Sequence, residues 1–250
     1  MRVRSDAMTE TGHGTVPTSI DQSRAVTNTD LKTTILSDAL PLIRCPQAVR
    51  VIGKTADQLD AYELMQEEAS AATKFSAKRL REFKLGRACA RELLVTLGFA
   101  DFPVRVGSSR QPIWPAELTG SISHAGEIAI CAIAAKQQVA GIGIDIEVIA
   151  PETFDLFATV ASDAERERFP LQTDCDYLAK LLFSAKESVF KCQFPLTGQW
   201  LDFKDVSLAL DFANGLFMTA VTHQNNKLSI VGTWDISEQH IVTAAWITAR

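Results

Sequence analysis

Three short stretches carry residues whose types and spacing can do chemistry. The first is Gly143-Ile144-Asp145-Ile146-Glu147-Val148. Strand side chains alternate between faces. Ile144, Ile146 and Val148 therefore share one side, and Asp145 and Glu147 the other, with α-carbons roughly 7 Å apart. Two carboxylates so placed can converge on one hard divalent cation. Magnesium suits them, because it takes oxygen ligands from one or two carboxylates plus substrate phosphates. The other reading is an amphipathic strand with a solvated acidic face.

The second stretch is Phe183-Ser184-Ala185-Lys186-Glu187-Ser188-Val189-Phe190-Lys191. Ser184, Glu187, Ser188 and Lys191 fall on one polar helix face at three- and four-residue spacing. Glu187 can supply a third carboxylate, and Lys186 and Lys191 can hold phosphate oxygens. The other reading is a surface Glu187–Lys191 pair worth about 0.2–0.5 kcal/mol. The third stretch lies between residues 74 and 91. Lys74, Lys78, Arg79, Arg81, Lys84, Arg87 and Arg91 stand there against one anion, Glu82, so the segment carries +6 and the rest of the chain −11. Such a surface suits a phosphorylated ligand or an acidic protein partner. A solvated helix face suits it as well. Few aromatics interleave with the cations, which disfavours a platform for stacked bases.

The elements that must position these residues follow from periodicity. Residues 56–98 read as helix, broken near Ala71–Thr73, and the part from Ser76 to Leu97 has apolar residues near helical spacing and Gly98 to end it. Glu127–Ala135 and Val139–Val148 read as strands. Ser162-Asp163-Ala164-Glu165 has the capping-box pattern of a helix start. Tyr177–Cys192 is a helix with Leu178, Leu181, Leu182, Ala185 and Val189 on one face. Beyond Val206, short β-rich segments alternate with turn signals at Ala213-Asn214-Gly215 and Asn225-Asn226. The result is an α+β chain of two helix-plus-sheet halves joined near Ala140.

Composition bounds the function. The chain has 250 residues, 46% hydrophobic and 22% charged, which excludes wholesale disorder and allows one large domain or two lobes. The net charge of −5 disfavours a general nucleic-acid binder. The five cysteines, Cys45, Cys89, Cys131, Cys175 and Cys192, form no C-x-x-C and are odd in number, which argues against a disulfide framework or thiolate zinc site and fits a reducing cytoplasm. No apolar run is long enough to span a membrane. Residues 1–34 read as a mobile tail, rich in Thr, Ser and Asp, without a signal-peptide core.

Several motifs fail on inspection. Gly53-Lys54-Thr55 lacks the first glycine of a phosphate loop, since position 48 is Ala48. Gly141-Ile142-Gly143 lacks the third glycine of a dinucleotide fingerprint, since position 146 is Ile146. Ser121, Ser123 and His124 sit in no nucleophile elbow. His13, His124, His223 and His240 lack metal-ligand spacing.

Taken together and in order, the blocks resemble the 4′-phosphopantetheinyl transferase superfamily, in its monomeric surfactin- and enterobactin-type class. The blocks are Gly107-Ser108-Ser109-Arg110-Gln111-Pro112-Ile113-Trp114-Pro115 with Gly120-Ser121-Ile122-Ser123-His124, then Gly143-Ile144-Asp145-Ile146-Glu147, then Phe183 to Lys191. Upstream, Arg79 to Arg91 is similar to the preceding helix of the enterobactin-type branch, as are Phe194-Pro195-Leu196-Thr197 and Trp200-Leu201. The likeness runs from about Lys78 to Phe203.

This resemblance implies an α+β fold of two pseudo-symmetric lobes, each a small, mainly antiparallel sheet on a long helix, with the site in the cleft between them. The N-terminal lobe would span 35–140 and hold the coenzyme A phosphates. The C-terminal lobe would span 141–250 and hold magnesium. The implied reaction moves the 4′-phosphopantetheine arm of coenzyme A to a serine of an apo acyl, peptidyl or aryl carrier protein, releasing adenosine 3′,5′-bisphosphate. Asp145, Glu147 and Glu187 would bind Mg2+. Arg79, Arg87, Arg110, Ser123, His124, Lys186 and Lys191 would line the coenzyme A site, with Glu187 as base and Lys191 steadying the leaving group. The branch leans toward nonribosomal peptide, polyketide or siderophore synthesis by a cytoplasmic monomer, with no nucleic-acid partner. The alternatives are a magnesium-dependent nucleotide phosphohydrolase and a non-catalytic coenzyme A- or carrier-binding module.

Overall fold

The computed structural model describes residues 31–36, 41–59, 62–150, 155–169 and 175–249. Of the segment read as a tail, residues 1–30 lie outside the described residues, while 31–34 belong to strand β1 (Leu31–Ile35). β1 pairs antiparallel with β2 (Leu42–Pro46). β3 (Arg50–Thr55), β5 (Ile128–Ala135) and β4 (Leu118–Ala125) form a second antiparallel sheet in the order β3-β5-β4. The third sheet has five antiparallel strands in the order β6-β10-β9-β8-β7: β6 (Val139–Val148), β10 (His240–Thr248), β9 (Asn226–Ile236), β8 (Leu216–His223) and β7 (Ala209–Asp211).

One long helix packs on each larger sheet. α2 (Ala77–Thr96) starts where the Ser76 side chain accepts the Arg79 N–H, and buries Leu85, Cys89, Ala90 and Leu94 against Ala129, Cys131 and Ile133 of β5. α5 (Cys175–Thr197) buries Leu181, Leu182, Ala185 and Val189 against Phe217, Ile230, Ile241 and Ala245. A third core lies between the sheets, where Ile142, Ile144 and Ile146 of β6 meet Ile130, Ala132 and Ala134 of β5 and Val242, Ala244 and Trp246 of β10. Ile43 and Cys45 of β2 close that core from the β10 side. The expected architecture of two sheet-on-helix lobes is present.

Three expectations shift. The helix read over 56–98 is a 3-10 turn at Ala56–Leu59, then α1 (Gln66–Ala72), then α2. α1 cannot begin earlier, because Met65 is extended and the Glu68 carboxylate accepts its N–H at 3.0 Å, capping the helix there. α5 runs past Cys192 to Thr197 with Pro195 in its last turns, and stops at Gly198, whose φ of 64° takes the left-handed cap. Val148 is 39% exposed at the strand end, not buried with Ile144 and Ile146. The capping box at Ser162 and Glu165 starts α4 (Asp163–Arg168), which follows the short α3 (Leu156–Val160).

Candidate active site at the lobe interface

β6 lies along α5 in matched steps. Two strand residues advance about 6.6–6.8 Å and four helix residues about 6 Å, so every second residue of β6 meets every fourth of α5. A Cβ on Gly141 would sit 2.5 Å from the Cys192 carbonyl, and one on Gly143 would sit 1.8 Å from the Ser188 carbonyl. Only glycine permits that approach. One step on, the Ser184 hydroxyl donates to Asp145 Oδ2 at 2.8 Å. One step further, Lys180 Nζ stands 3.9 Å from Glu147 Oε2. Thr243, opposite Asp145 on β10, shares a 3.0 Å hydroxyl contact with Ser184 and donates to its carbonyl.

The neighbouring row of α5 carries Glu187 and Lys191. Lys191 Nζ donates to Asp145 Oδ1 at 2.6 Å, to Ser123 Oγ at 3.1 Å and to the Ile144 carbonyl at 3.4 Å. Ser123 donates to the same Asp145 Oδ1 at 2.8 Å. Its neighbour on that face of β4, Ser121, accepts the Ile144 N–H at 3.1 Å. Serine side chains thus stitch β4 to β6 across the lobe boundary. His124 and Ile122 point to the opposite face of β4, toward α2, where Ile122 packs close over Gly86.

His124 Nε2 contacts Arg79 Nη1, and Glu82 Oε2 lies 3.8 Å from His124 Nδ1. A guanidinium can only donate, so Nε2 accepts and the imidazole proton sits on Nδ1, facing Glu82. Burial pushes the His124 pKa down, opposed by Glu82 and reinforced by Arg79 and Lys191. The ring is therefore neutral in neutral solution, and Glu82, at 3.8 Å, is neither hydrogen-bonded nor ion-paired to it.

The three carboxylates are electrostatically linked. Burial first, then Asp145, pushes the Glu147 carboxyl up to about 7, with Glu187 adding to the rise and Lys180 and Lys191 opposing it. Burial raises Glu187 too, with Lys191 opposing and Asp145 adding. Burial thus leaves Glu147 and Glu187 short of compensating positive charge, and their oxygens with those of Asp145 are the hard ligands magnesium takes. Among the described residues, however, no group of three His, Cys, Asp or Glu side chains is already gathered to hold a metal ion.

The expected site residues therefore divide. Asp145, Ser123 and Lys191 are joined by hydrogen bonds. Glu147 and Glu187 lie within electrostatic reach of them, as does His124, which with Arg79 occupies the other face of β4. Arg87 is set deeper: its Nε donates to the Val104 carbonyl at 2.7 Å and its guanidinium lies 4.1 Å from the Phe83 ring centre. Its Nη groups have no hydrogen-bond partner among the described residues. Burial lowers its pKa to about 10, against the pull of Glu68. Arg110 is exposed on the loop before β4, with φ of 68°, and among the described residues no hydrogen bond or ion pair joins it to this cluster.

Lys186 departs furthest from the reading as a phosphate ligand. Its ammonium has three donors, and they go to Glu165 Oε2 at 2.6 Å, the Val160 carbonyl at 2.8 Å and the Phe203 carbonyl at 2.9 Å. The side chain is 1% exposed and keeps no N–H for a phosphate. The reason lies in helix geometry: Lys186 is one residue, about 100°, from Glu187, and so faces α4. Lys180, Glu82 and Thr243 were not anticipated. Lys180 was detectable, since it extends the Ser184–Glu187–Lys191 row by one more four-residue step.

Comparison with known proteins identifies the family. The family model described as the 4′-phosphopantetheinyl transferase N-terminal domain matches residues 67–134, and that of the 4′-phosphopantetheinyl transferase superfamily matches residues 141–245. The chain is 35% identical over 195 residues to the 4′-phosphopantetheinyl transferase Svp of Streptomyces mobaraensis, covering 74% of this chain and 79% of that protein. It is 34% identical over 181 residues to the 4′-phosphopantetheinyl transferase Npt of Nocardia iowensis, covering 67% and 82%. It is 34% identical over 173 residues to enterobactin synthase component D of Shigella flexneri, covering 66% and 76%. The chain belongs to the 4′-phosphopantetheinyl transferase superfamily and is an enzyme of that class. Among the described residues, no helix is long and apolar enough to cross a membrane.

Proposed function

We propose that this enzyme transfers the 4′-phosphopantetheine arm of coenzyme A to a serine hydroxyl of an apo carrier protein and releases adenosine 3′,5′-bisphosphate. The observation that carries this reading is the meeting of both lobes at Asp145. Ser123 of β4 and Lys191 of α5 bond the same carboxylate oxygen, Glu187 stands beside them, and the Arg79–His124 pair adjoins from α2. Carboxylates and cations are thus brought close together, the two kinds of charge that a pyrophosphate and its counter-ion require.

In the transfer, the carrier serine oxygen bonds to the β-phosphorus, and the bond from that phosphorus to the bridging oxygen breaks. The leaving group departs with the bridging oxygen as a phosphate. Glu187, whose raised pKa makes it a stronger base than a solvated carboxylate, takes the serine proton. Lys191 is long enough to meet the phosphate oxygens, and Arg79 with the free Nη groups of Arg87 supplies charge to the nucleotide end. Asp145, Glu147 and Glu187 would hold a magnesium ion, which when bound offsets charge on the pyrophosphate oxygens. A groove of about 250 Å³ opens beside the base, lined by the apolar Phe190, Trp200, Leu201, Phe203 and Val206 together with the charged Lys186, Glu187 and Asp202.

The enzyme acts as a monomer in the cytoplasm in this reading, where reduced thiols persist. Cys45, Cys89, Cys131 and Cys192, all buried and free, are consistent with that setting. Its carriers serve peptide, polyketide or siderophore assembly. Incubation with coenzyme A, Mg2+ and a panel of apo carriers, followed by intact mass measurement, tests the reaction. A phosphopantetheine mass gain on at least one carrier is expected. No gain on any carrier, with coenzyme A consumed or untouched, would overturn it.

A further inference from the structure

Asp145 already accepts three hydrogen bonds from the protein itself. Oδ1 accepts from Lys191 and Ser123, and Oδ2 accepts from Ser184. These three donors differ in how easily they can leave. Ser123 and Ser184 are short side chains, 6% and 0% exposed, fixed on β4 and α5. Neither can withdraw far without moving its element. Lys191 has four flexible methylenes, and its side chain is 26% exposed, so its ammonium can rotate into the cleft. Its neighbours explain why it rests on Asp145. Glu187 has no hydrogen bond or ion pair among the described residues, and Glu147 faces Lys180. Lys191 is the cation that opposes the rise at Glu187, and it also opposes the rise at Glu147.

We propose that Lys191 is a built-in counter-ion that occupies the divalent-cation position on Asp145, so that ammonium and metal ion exclude one another there. Both bind the same carboxylate, and two cations within about 4 Å repel by several kcal/mol even at protein-surface screening. Divalent-cation binding therefore requires Lys191 to leave Asp145, and the cleft into which it leaves is the one assigned to the phosphates. Cation and phosphate binding are then coupled through one side chain: whichever draws Lys191 off, or takes its place, favours the other. This inference rests on the functional reading above, since it takes Asp145 as a metal ligand.

The test is Mn2+ titration of the full chain without coenzyme A, read by the electron paramagnetic resonance of free Mn2+. Four proteins are compared: the parent, Lys191→Met, Lys191→Arg and Asp145→Asn. Lys191→Met is expected to bind Mn2+ at least about tenfold more tightly than the parent, because the competing charge is gone. Lys191→Arg should stay near the parent, and Asp145→Asn should lose the site. If Lys191→Met does not fold, Lys191→Gln takes its place, with the same expectation. Parent-like or weaker Mn2+ binding by the uncharged variant, while the parent binds, overturns the counter-ion role and leaves the metal assignment standing. Absence of binding by both parent and uncharged variant overturns both.

Discussion

Lys186 and Glu165 form an ion pair sealed inside the protein, with Nζ and Oε2 2.6 Å apart and side chains 1% and 0% exposed. Glu165 also accepts the Ser162 N–H and the Leu208 N–H, each at 2.8 Å. The pair therefore ties α5 to α4, to the end of α3 and to the segment entering β7. Its place in the sequence, next to the candidate base Glu187, makes it a brace for the catalytic face.

Removing one partner leaves a buried charge without compensation. Lys186→Met is expected to cost about 3–5 kcal/mol of stability, seen as a lower denaturant midpoint. Replacing both partners, Lys186→Met with Glu165→Leu, should recover much of that loss. Coenzyme A affinity, measured by titration on the double variant, should match the parent. A large affinity loss with normal stability would instead restore Lys186 as a phosphate ligand.

Arg79 is the reverse case. Its side chain is 49% exposed, and among the described residues its ion pair is a 3.3 Å contact with Glu82. Arg79→Ala should change stability by no more than about 0.5–1 kcal/mol. It should raise the apparent KM for coenzyme A about tenfold, the scale of one charge-assisted phosphate contact, with a smaller effect on kcat. Steady-state kinetics at varied coenzyme A checks this.

Gly143→Ala tests the strand-to-helix register. Its methyl would overlap the Ser188 carbonyl, a backbone atom that cannot rotate away. The helix must lift from β6, at a cost of about 1–3 kcal/mol or more. Because Ser184, Glu187 and Lys191 ride on that helix, kcat should fall further than the stability loss explains. Thermal unfolding and turnover measured at a temperature where the variant is folded separate the two.

Glu147 predicts a pH slope in the metal-free protein. Its folded pKa lies at about 7 against an ordinary 4.5. Between these values the folded chain holds a proton that the unfolded chain has released. Stability from this group is therefore present at low pH, declines as pH rises from about 4.5, and is lost once pH passes about 7. Glu147→Gln removes the slope. Chemical denaturation in chelator at about pH 5 and about pH 8 should show the variant gaining on the parent as pH rises. A constant difference would contradict the raised pKa.

Much of the site was legible because local periodicity constrains it. Alternation in Gly143 to Val148 put Asp145 and Glu147 on one face, and three- and four-residue spacing grouped Ser184, Glu187 and Lys191. The helix start at Ser76 and the capping box at Ser162 and Glu165 were readable because their bonds close within three residues. What spacing lacks is the neighbour across the fold. Lys186 reads as a phosphate-binding lysine in the linear motif, yet one helical step turns it onto Glu165. The Gly141-Ile142-Gly143 run fails as a nucleotide fingerprint, and its purpose, letting Cys192 and Ser188 approach, exists only once α5 is laid on β6.

The sequence by itself determined the class of chemistry: three carboxylates, a cationic helix and the order in which they occur. Tertiary structure decided which of those charges face one another. Asp145 gains Ser123 from a strand 22 residues away and Ser184 from a helix 39 residues away, and no local rule connects such partners. Charge type is carried by the residue, but burial, pairing and pKa belong to the environment, which packing of distant segments creates.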